Sequence, residues 1–207
     1  MINIVNKIRF RLIRRLSMKK LRSLPTFDKD AIYITFDDGP EPGITEFVIE
    51  ELKRYNVKAT FFCCGKNCHD YPELFNRIIG EGHSVANHTH SHISGYSTST
   101  YDYIENVEKC EEYLGTNTFR PPWGALTFKL YNILKKKYRI IYWDLSSDDA
   151  VLKKFNINKA IYNLSHNSKP GSIVLFHFCK KHENETKQIL PLYLKYIKEK
   201  DLKTNTF

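Results

Sequence analysis

Short apolar runs and amphipathic helical stretches alternate along nearly the whole chain, and the apolar runs lead, one after another, into ionisable residues. The run 31–36 (Ala-Ile-Tyr-Ile-Thr-Phe) is broken at once by Asp37-Asp38-Gly39-Pro40. Residues 58–64 form a second run. A third, 83–86, leads into His88-Thr89-His90-Ser91-His92, and Thr118-Phe119 leads into Arg120-Pro121-Pro122-Trp123-Gly124. Residues 139–143 precede Asp148-Asp149, and 172–176 end on His177. Between the runs, apolar spacing predicts helices over 44–55, 72–81, 101–114, 126–137, 157–164 and 184–199. Such alternation implies an α/β chain of parallel strands with helices outside, as an open sheet or a closed barrel. In either, function sits where the strands pass into the loops that lead to the helices. Acids, histidines or an arginine at five separate strand ends exceed ordinary surface polarity.

Two carboxylates at the mouth of a buried strand repel one another unless a cation or a division of labour separates them. His88 and His92, four apart, can converge with a strand-mouth Asp on one ion. Two imidazoles and one carboxylate leave a position open for water and suit zinc, with iron, cobalt or nickel as alternatives. His90, between them, points elsewhere. Pro121 and Pro122 carry no N–H and stiffen the chain, so Trp123 and Gly124 are the next backbone donors, as an oxyanion site needs. Taken singly these features have plainer readings: a proline-rich loop, a core histidine at 177, a helix cap at Asp148 or Asp149.

The 207 residues, 42% of them apolar, suffice for one full core with a short extension. The net charge of +9 is concentrated in residues 1–24, which hold eight basic side chains and no acid and leave 24 basic against 23 acidic residues elsewhere. A near-neutral body argues against nucleic acid as a partner. Within the leader, Ile4, Val5, Ile8, Leu12, Ile13 and Leu16 fall roughly on one face of a basic helix. Such a segment lies on an anionic membrane as a peripheral contact, packs on the domain as a solvated helix, or is an order-poor tail. It has no uninterrupted apolar run, hence no signal peptide and no membrane span. An odd set of five cysteines without a signal peptide fits a reducing compartment, so a cytoplasmic place is expected, with the inner face of the membrane within the leader's reach. Cys63, Cys64 and Cys68 with His69 match no usual zinc spacing and read as core packing.

The segments 35–40, 88–92, 120–124, 144–150 (Asp-Leu-Ser-Ser-Asp-Asp-Ala) and 175–177 (Leu-Phe-His) resemble, in order, the five motifs of the polysaccharide deacetylases with a NodB-like domain, carbohydrate esterase family four. The resemblance runs from about residue 31 to the C-terminus. It divides the chain into a basic amphipathic segment, 1–24, and a catalytic domain, 25–207. It implies a distorted (β/α) barrel with fewer than eight regular units behind a short N-terminal basic helix. The implied activity is metal-dependent removal of the N-acetyl group from an N-acetylated sugar or glycan, releasing acetate. Asp37 would be the general base, with Asp38, His88 and His92 holding the metal. Arg120 would hold Asp37 through a charge-assisted pair, and the Trp123 N–H would help bind the oxyanion. His177 would be the general acid, oriented by Asp149, and Leu175 would line the acetyl pocket. Two positions depart from the family's pattern, which usually has Tyr at 123 and Trp at 150. Ala150 removes a wall of the acetyl pocket and leaves open whether Asp148 or Asp149 serves His177.

Three other classes stand beside this one. A non-catalytic glycan-binding or membrane-peripheral protein of the same fold would have no use for the full polar set. A non-haem iron oxygenase would leave Arg120 and His177 without a role. Nucleic-acid binding through the leader would show a steep salt dependence. The sugar is not legible in the chain, since chitin oligomers, peptidoglycan, capsule and lipid-linked precursors all present an N-acetyl group.

Overall fold

The computed structural model describes residues 4–150 and 155–207. The apolar runs form strands β1 (Ile32–Asp37), β2 (Thr60–Cys63), β3 (Ser84–Asn87), β4 (Thr118–Phe119), β5 (Arg139–Ile140), β6 (Leu145–Ser146) and β7 (Ile173–His177), joined by β8 (Thr204–Asn205). All their pairings are parallel. The order is β5-β4-β3-β2-β1-β7-β6, with β8 beside the start of β1. The helices are α1 (Ile4–Arg22), α2 (Ile44–Arg54), α3 (Gly65–Asp70), α4 (Pro72–Gly80), α5 (Thr100–Leu114), α6 (Phe128–Leu134), α7 (Ile157–Asn167) and α8 (Glu183–Glu199).

Closure follows from the connectivity. Strands β5 and β6 stand at opposite ends of the strand order, yet only residues 141–144 join them. An extended chain spans about 3.6 Å per residue, so the two edges lie within roughly 18 Å and the sheet must curl on itself. The crossing segment is held on one side by the Ile141 N–H to the Phe119 carbonyl and on the other by the Asp144 N–H to the Ile173 carbonyl, 2.8 Å each. The result is the distorted barrel expected from the resemblance, with an irregular seam in place of strand pairing. The alternation of β1 sorts its side chains. Ile32, Ile34 and Phe36 pack with Val48, Leu52, Leu190 and Leu194 of α2 and α8. Tyr33 lies in the other cluster with Phe62, Phe119 and Ile173, and Thr35 and Asp37 share its face.

Several local expectations change. The strand expected over 139–143 pairs only at Arg139–Ile140, because the following residues leave to cross the seam. The helix expected over 126–137 is Phe128–Leu134, capped by the Thr127 hydroxyl, which accepts from the Leu130 N–H. Helix α3 and strands β6 and β8 are too short to show a period. The single apolar face expected of the leader divides: Ile13 is buried with Met18 and Leu21 against Tyr138 and Tyr142, whereas Ile4, Val5, Ile8, Leu12 and Leu16 remain exposed. Residues 1–3 of the leader lie outside the described residues.

Candidate active site

Strand register gathers the polar residues. Asp37 at the end of β1 pairs with His177 at the end of β7, and Ser146 of β6 with Leu175. On the other side Cys63 pairs with Asn87 and Asn87 with Phe119, so His88 and Arg120 leave β3 and β4 together. Asp37, Asp38, His88, His92, Trp123, Leu175 and His177 all line one cleft of about 970 Å³, and Ala150 stands on its wall.

Asp38, His88 and His92 converge. The Asp38 Oδ1 atom is 3.3 Å from His88 Nε2 and 3.0 Å from His92 Nε2, and the three form a group able to hold one metal ion. Bonds of about 2.0–2.1 Å in tetrahedral geometry separate neighbouring ligand atoms by roughly 3.3 Å, so the donors are spaced for a zinc-sized ion. His88 is oriented by donating Nδ1–H to the Arg120 carbonyl at 2.8 Å, which leaves Nε2 as the free lone pair. Burial alone raises the Asp38 carboxyl, but when the His88 and His92 rings carry a proton on Nε2 they donate to it and hold it well below the usual carboxylate range. His90 turns away, stacking on Tyr113.

Arg120 is fully buried and donates from Nη1 to Asp37 Oδ1 at 2.7 Å and to the Thr35 hydroxyl at 2.8 Å. Its Nε and Nη2 reach the Ile141 and Tyr142 carbonyls at the seam, and its plane lies 3.9 Å over the Phe62 ring. Every edge of the guanidinium is engaged, so Asp37 is held rigidly with Oδ2 3.8 Å from His88 Nε2. Of the two aspartates left open by the sequence, Asp149 is the one in contact with His177. Its Oδ1 receives the imidazole Nδ1–H at 2.7 Å, and its Oδ2 takes the His177 backbone N–H at 2.7 Å, with Thr186 Oγ1 3.0 Å away. Burial by itself lowers the His177 imidazole, but the charge and hydrogen bond of Asp149, helped by Asp38 and Asp37, push it up to about 9.

Backbone strain gathers here too. Asp38, Thr89, His92, Trp123 and Asp148 all have φ between 51° and 86°, and among the described residues only Asn56 and Asp201 are other non-glycine cases. Each left-handed residue costs on the order of 1–3 kcal/mol and persists only where its surroundings over-determine it, which is typical of functional sites. Trp123 is half exposed at the rim against His92, while the Gly124 and Ala125 N–H groups are engaged by the Pro121 and Pro122 carbonyls.

Sequence reasoning passed over Cys179 and His182, which line the same cleft, and Asn67, whose amide donates to the Asp38 carbonyl at 2.9 Å. The signal for the first two is a Cys-x-x-His spacing directly after His177. All five cysteines are free and buried, as packing residues would be; Cys64 and Cys179 also line the cleft, and Cys179 Sγ lies 3.6 Å from Asp38 Oδ2.

A family profile described as polysaccharide deacetylase matches residues 25–139. A peptidoglycan-N-acetylglucosamine deacetylase of Bacillus cereus is 34% identical over 161 residues, 73% of this chain and 57% of that protein. A chitooligosaccharide deacetylase of Azorhizobium caulinodans is 32% identical over 160 residues, covering 73% and 75%. A crystal structure of the Bc1960 peptidoglycan N-acetylglucosamine deacetylase superposes with a TM-score of 0.80 at 29% identity, covering 87% of each chain. The chain belongs to the polysaccharide deacetylase family. Its fold is thus shared with this crystal structure, and its sequence with enzymes that act on N-acetylated glycans.

Proposed function

We propose that the protein is a metal-dependent deacetylase that hydrolyses the N-acetyl group of a glucosamine-containing glycan, releasing acetate and a free amine. The observation that carries this reading is the convergence of three sets on one cleft: Asp38 with His88 and His92, Asp37 with Arg120, and His177 with Asp149. A divalent ion of the zinc class, when bound by Asp38, His88 and His92, polarises the acetyl carbonyl and brings the pKa of its water toward about 7.

The chain's own groups do the rest. Asp37, fixed by Arg120, takes the proton of the attacking water through Oδ2. The Trp123 N–H is the backbone donor for the developing oxyanion, because Pro121 and Pro122 carry no N–H and those of Gly124 and Ala125 are engaged by the Pro121 and Pro122 carbonyls. His177 protonates the departing amine, a step without which the C–N bond does not break, and Asp149 keeps its Nε2 edge turned to the substrate. Leu175 forms the floor under the acetyl methyl, and Ala150, in place of a larger side chain, widens that side. Zinc-supplemented acetate release across chitin oligomers, peptidoglycan fragments and lipid-linked precursors tests the reading; silence across the panel with zinc, cobalt and nickel overturns it. A purely glycan-binding role is disfavoured because such a protein gains nothing from a strained, buried acid–base set.

We further propose that α1 seats this catalytic domain on an anionic membrane surface. No helix among the described residues is long and apolar enough to cross a membrane. On α1, however, Ile4 and Ile8 are 76% and 59% exposed and continue through Leu12 and Leu16 as a stripe opposite the buried Ile13, Ser17 and Leu21. Lys7, Arg9, Arg11, Arg15 and Lys19 flank it with no acid on the helix. An apolar stripe edged by cations complements the apolar and phosphate layers of a bilayer surface. Co-sedimentation with phosphatidylglycerol vesicles but not phosphatidylcholine vesicles, lost in Ile8→Glu/Leu12→Glu, is expected. Equal affinity for both vesicles, or none, overturns it.

A further inference from the structure

The cleft contains a second set of metal-type donors that the deacetylation scheme leaves unused. Cys179 and His182 follow His177 in the turn that opens α8, and with Asp38 they form another group whose ligand atoms lie within 4.8 Å of one another. The two sets meet at Asp38. Oδ1 faces His88 and His92, whereas Oδ2 lies 3.6 Å from Cys179 Sγ. A zinc-class ion with bonds of about 2.3 Å to sulfur and 2.0 Å to oxygen would separate those atoms by roughly 3.5 Å, so the Cys179–Asp38 spacing matches such an ion, and His182 lies within 4.8 Å of both.

We propose that Asp38, Cys179 and His182 form a second site for a thiophilic divalent cation, bridged to the first through the Asp38 carboxylate. The site rests on its own donor geometry, not on the deacetylase reading, with which it shares only Asp38. A thiolate and an imidazole select zinc, cobalt or cadmium over magnesium or calcium, which want oxygen. Binding releases the Cys179 thiol proton to solvent and leaves all oxidation states unchanged. Two divalent charges there would be offset in part by the carboxylates of Asp37 and Asp38 and one thiolate. The position matters for turnover. The His182 ring is 5.3 Å from that of His177, and Cys179 and His182 line the cleft through which the acetylated sugar enters. A cation seated there obstructs the substrate, so excess zinc inhibits an enzyme that needs zinc.

The test is cobalt(II) titration of the metal-free full chain, followed by optical spectra and metal analysis. The expected result is two ions per chain, with a thiolate-to-cobalt charge-transfer band in the near ultraviolet growing only with the second. In Cys179→Ala and in His182→Ala the band and one ion are lost, the first ion stays, and inhibition by excess zinc disappears. In His92→Ala the first ion is weakened while the thiolate band survives, which separates failure of this site from failure of the histidine site. One ion and no thiolate band at any cobalt level overturns the proposal. So does a thiolate band that arrives with the first ion, because Cys179 would then ligate the same cation as the histidines.

Discussion

Replacing Asp149 by Asn removes the charge that raises the His177 imidazole while keeping the size of the side chain. In the native protein the Asp149 carboxylate receives both the imidazole and the backbone N–H of His177 at 2.7 Å, and His177 is pushed up to about 9. Without that charge, burial is left as the leading influence and lowers the imidazole toward or below its ordinary 6.5. At pH 8 a group with a pKa near 9 is about nine-tenths protonated and one at 6.5 about 3%, so the acid-competent fraction falls roughly 30-fold. Loss of orientation adds to this, since an amide can also present N–H to Nδ1 and turn the ring to the wrong tautomer. The effect is read as the difference between the two alkaline limbs, with both proteins loaded with the same metal. The assay is kcat/KM for acetate release from pH 6 to 10, with the His177 ring signal followed by NMR in the metal-free proteins. An alkaline limb that stays where it is in Asp149→Asn, with kcat merely scaled, refutes the assignment of His177 as the acid.

Asp37→Asn should keep the metal yet lose about 10²–10⁴-fold in turnover, read by acetate release beside metal analysis; a variant that retains turnover removes Asp37 from the base role. Asp38→Ala should lose the metal itself and, on the second-site proposal, the thiolate band with it, both visible in one cobalt titration. Arg120→Leu should destabilise by about 3–5 kcal/mol in urea unfolding, because Asp37 is left buried without its cation; a loss below about 1 kcal/mol would mean that water reaches the pair. Gly124 has φ 67°, and a Cβ there would collide with the Phe10 ring of α1, so Gly124→Ala should cost about 2–4 kcal/mol from left-handed strain and overpacking. For the metal-free protein the sign of the pH dependence is set by a raised histidine. The stability from the His177–Asp149 pair is fully present below pH 6.5 and is lost as pH rises through about 9, by on the order of 3 kcal/mol, and Asp149→Asn should abolish that slope.

Most of the barrel was legible because its signals are local. The continuous apolar runs 31–36 and 172–176 and the Gly-Pro stop after Asp38 are written within a few residues of where they act. The short pieces were not legible. Strand β6 has two residues and is a strand only because Val174 and Leu175 stand beside it, and α3 is six residues bounded by the turn from β2 and by Tyr71. The leader shows the same limit, since a pattern of apolar residues marks an amphipathic helix but does not say which of them the domain will cover.

The chain alone determined that one face of a parallel α/β domain would carry two aspartates, a spaced histidine pair, an arginine before two prolines and a histidine after a buried strand. Those placements depend on side-chain period and on chain stops, which neighbouring residues decide. Tertiary structure decided that Asp149, not Asp148, meets His177, that Ile13 faces inward while Ile8 and Leu12 face outward, and that Cys179 and His182 come round to Asp38. Each of these is a distance across 28 to 144 positions of chain, set by strand register and by the closure of the sheet at residues 141–144. No periodicity within a single segment carries that information.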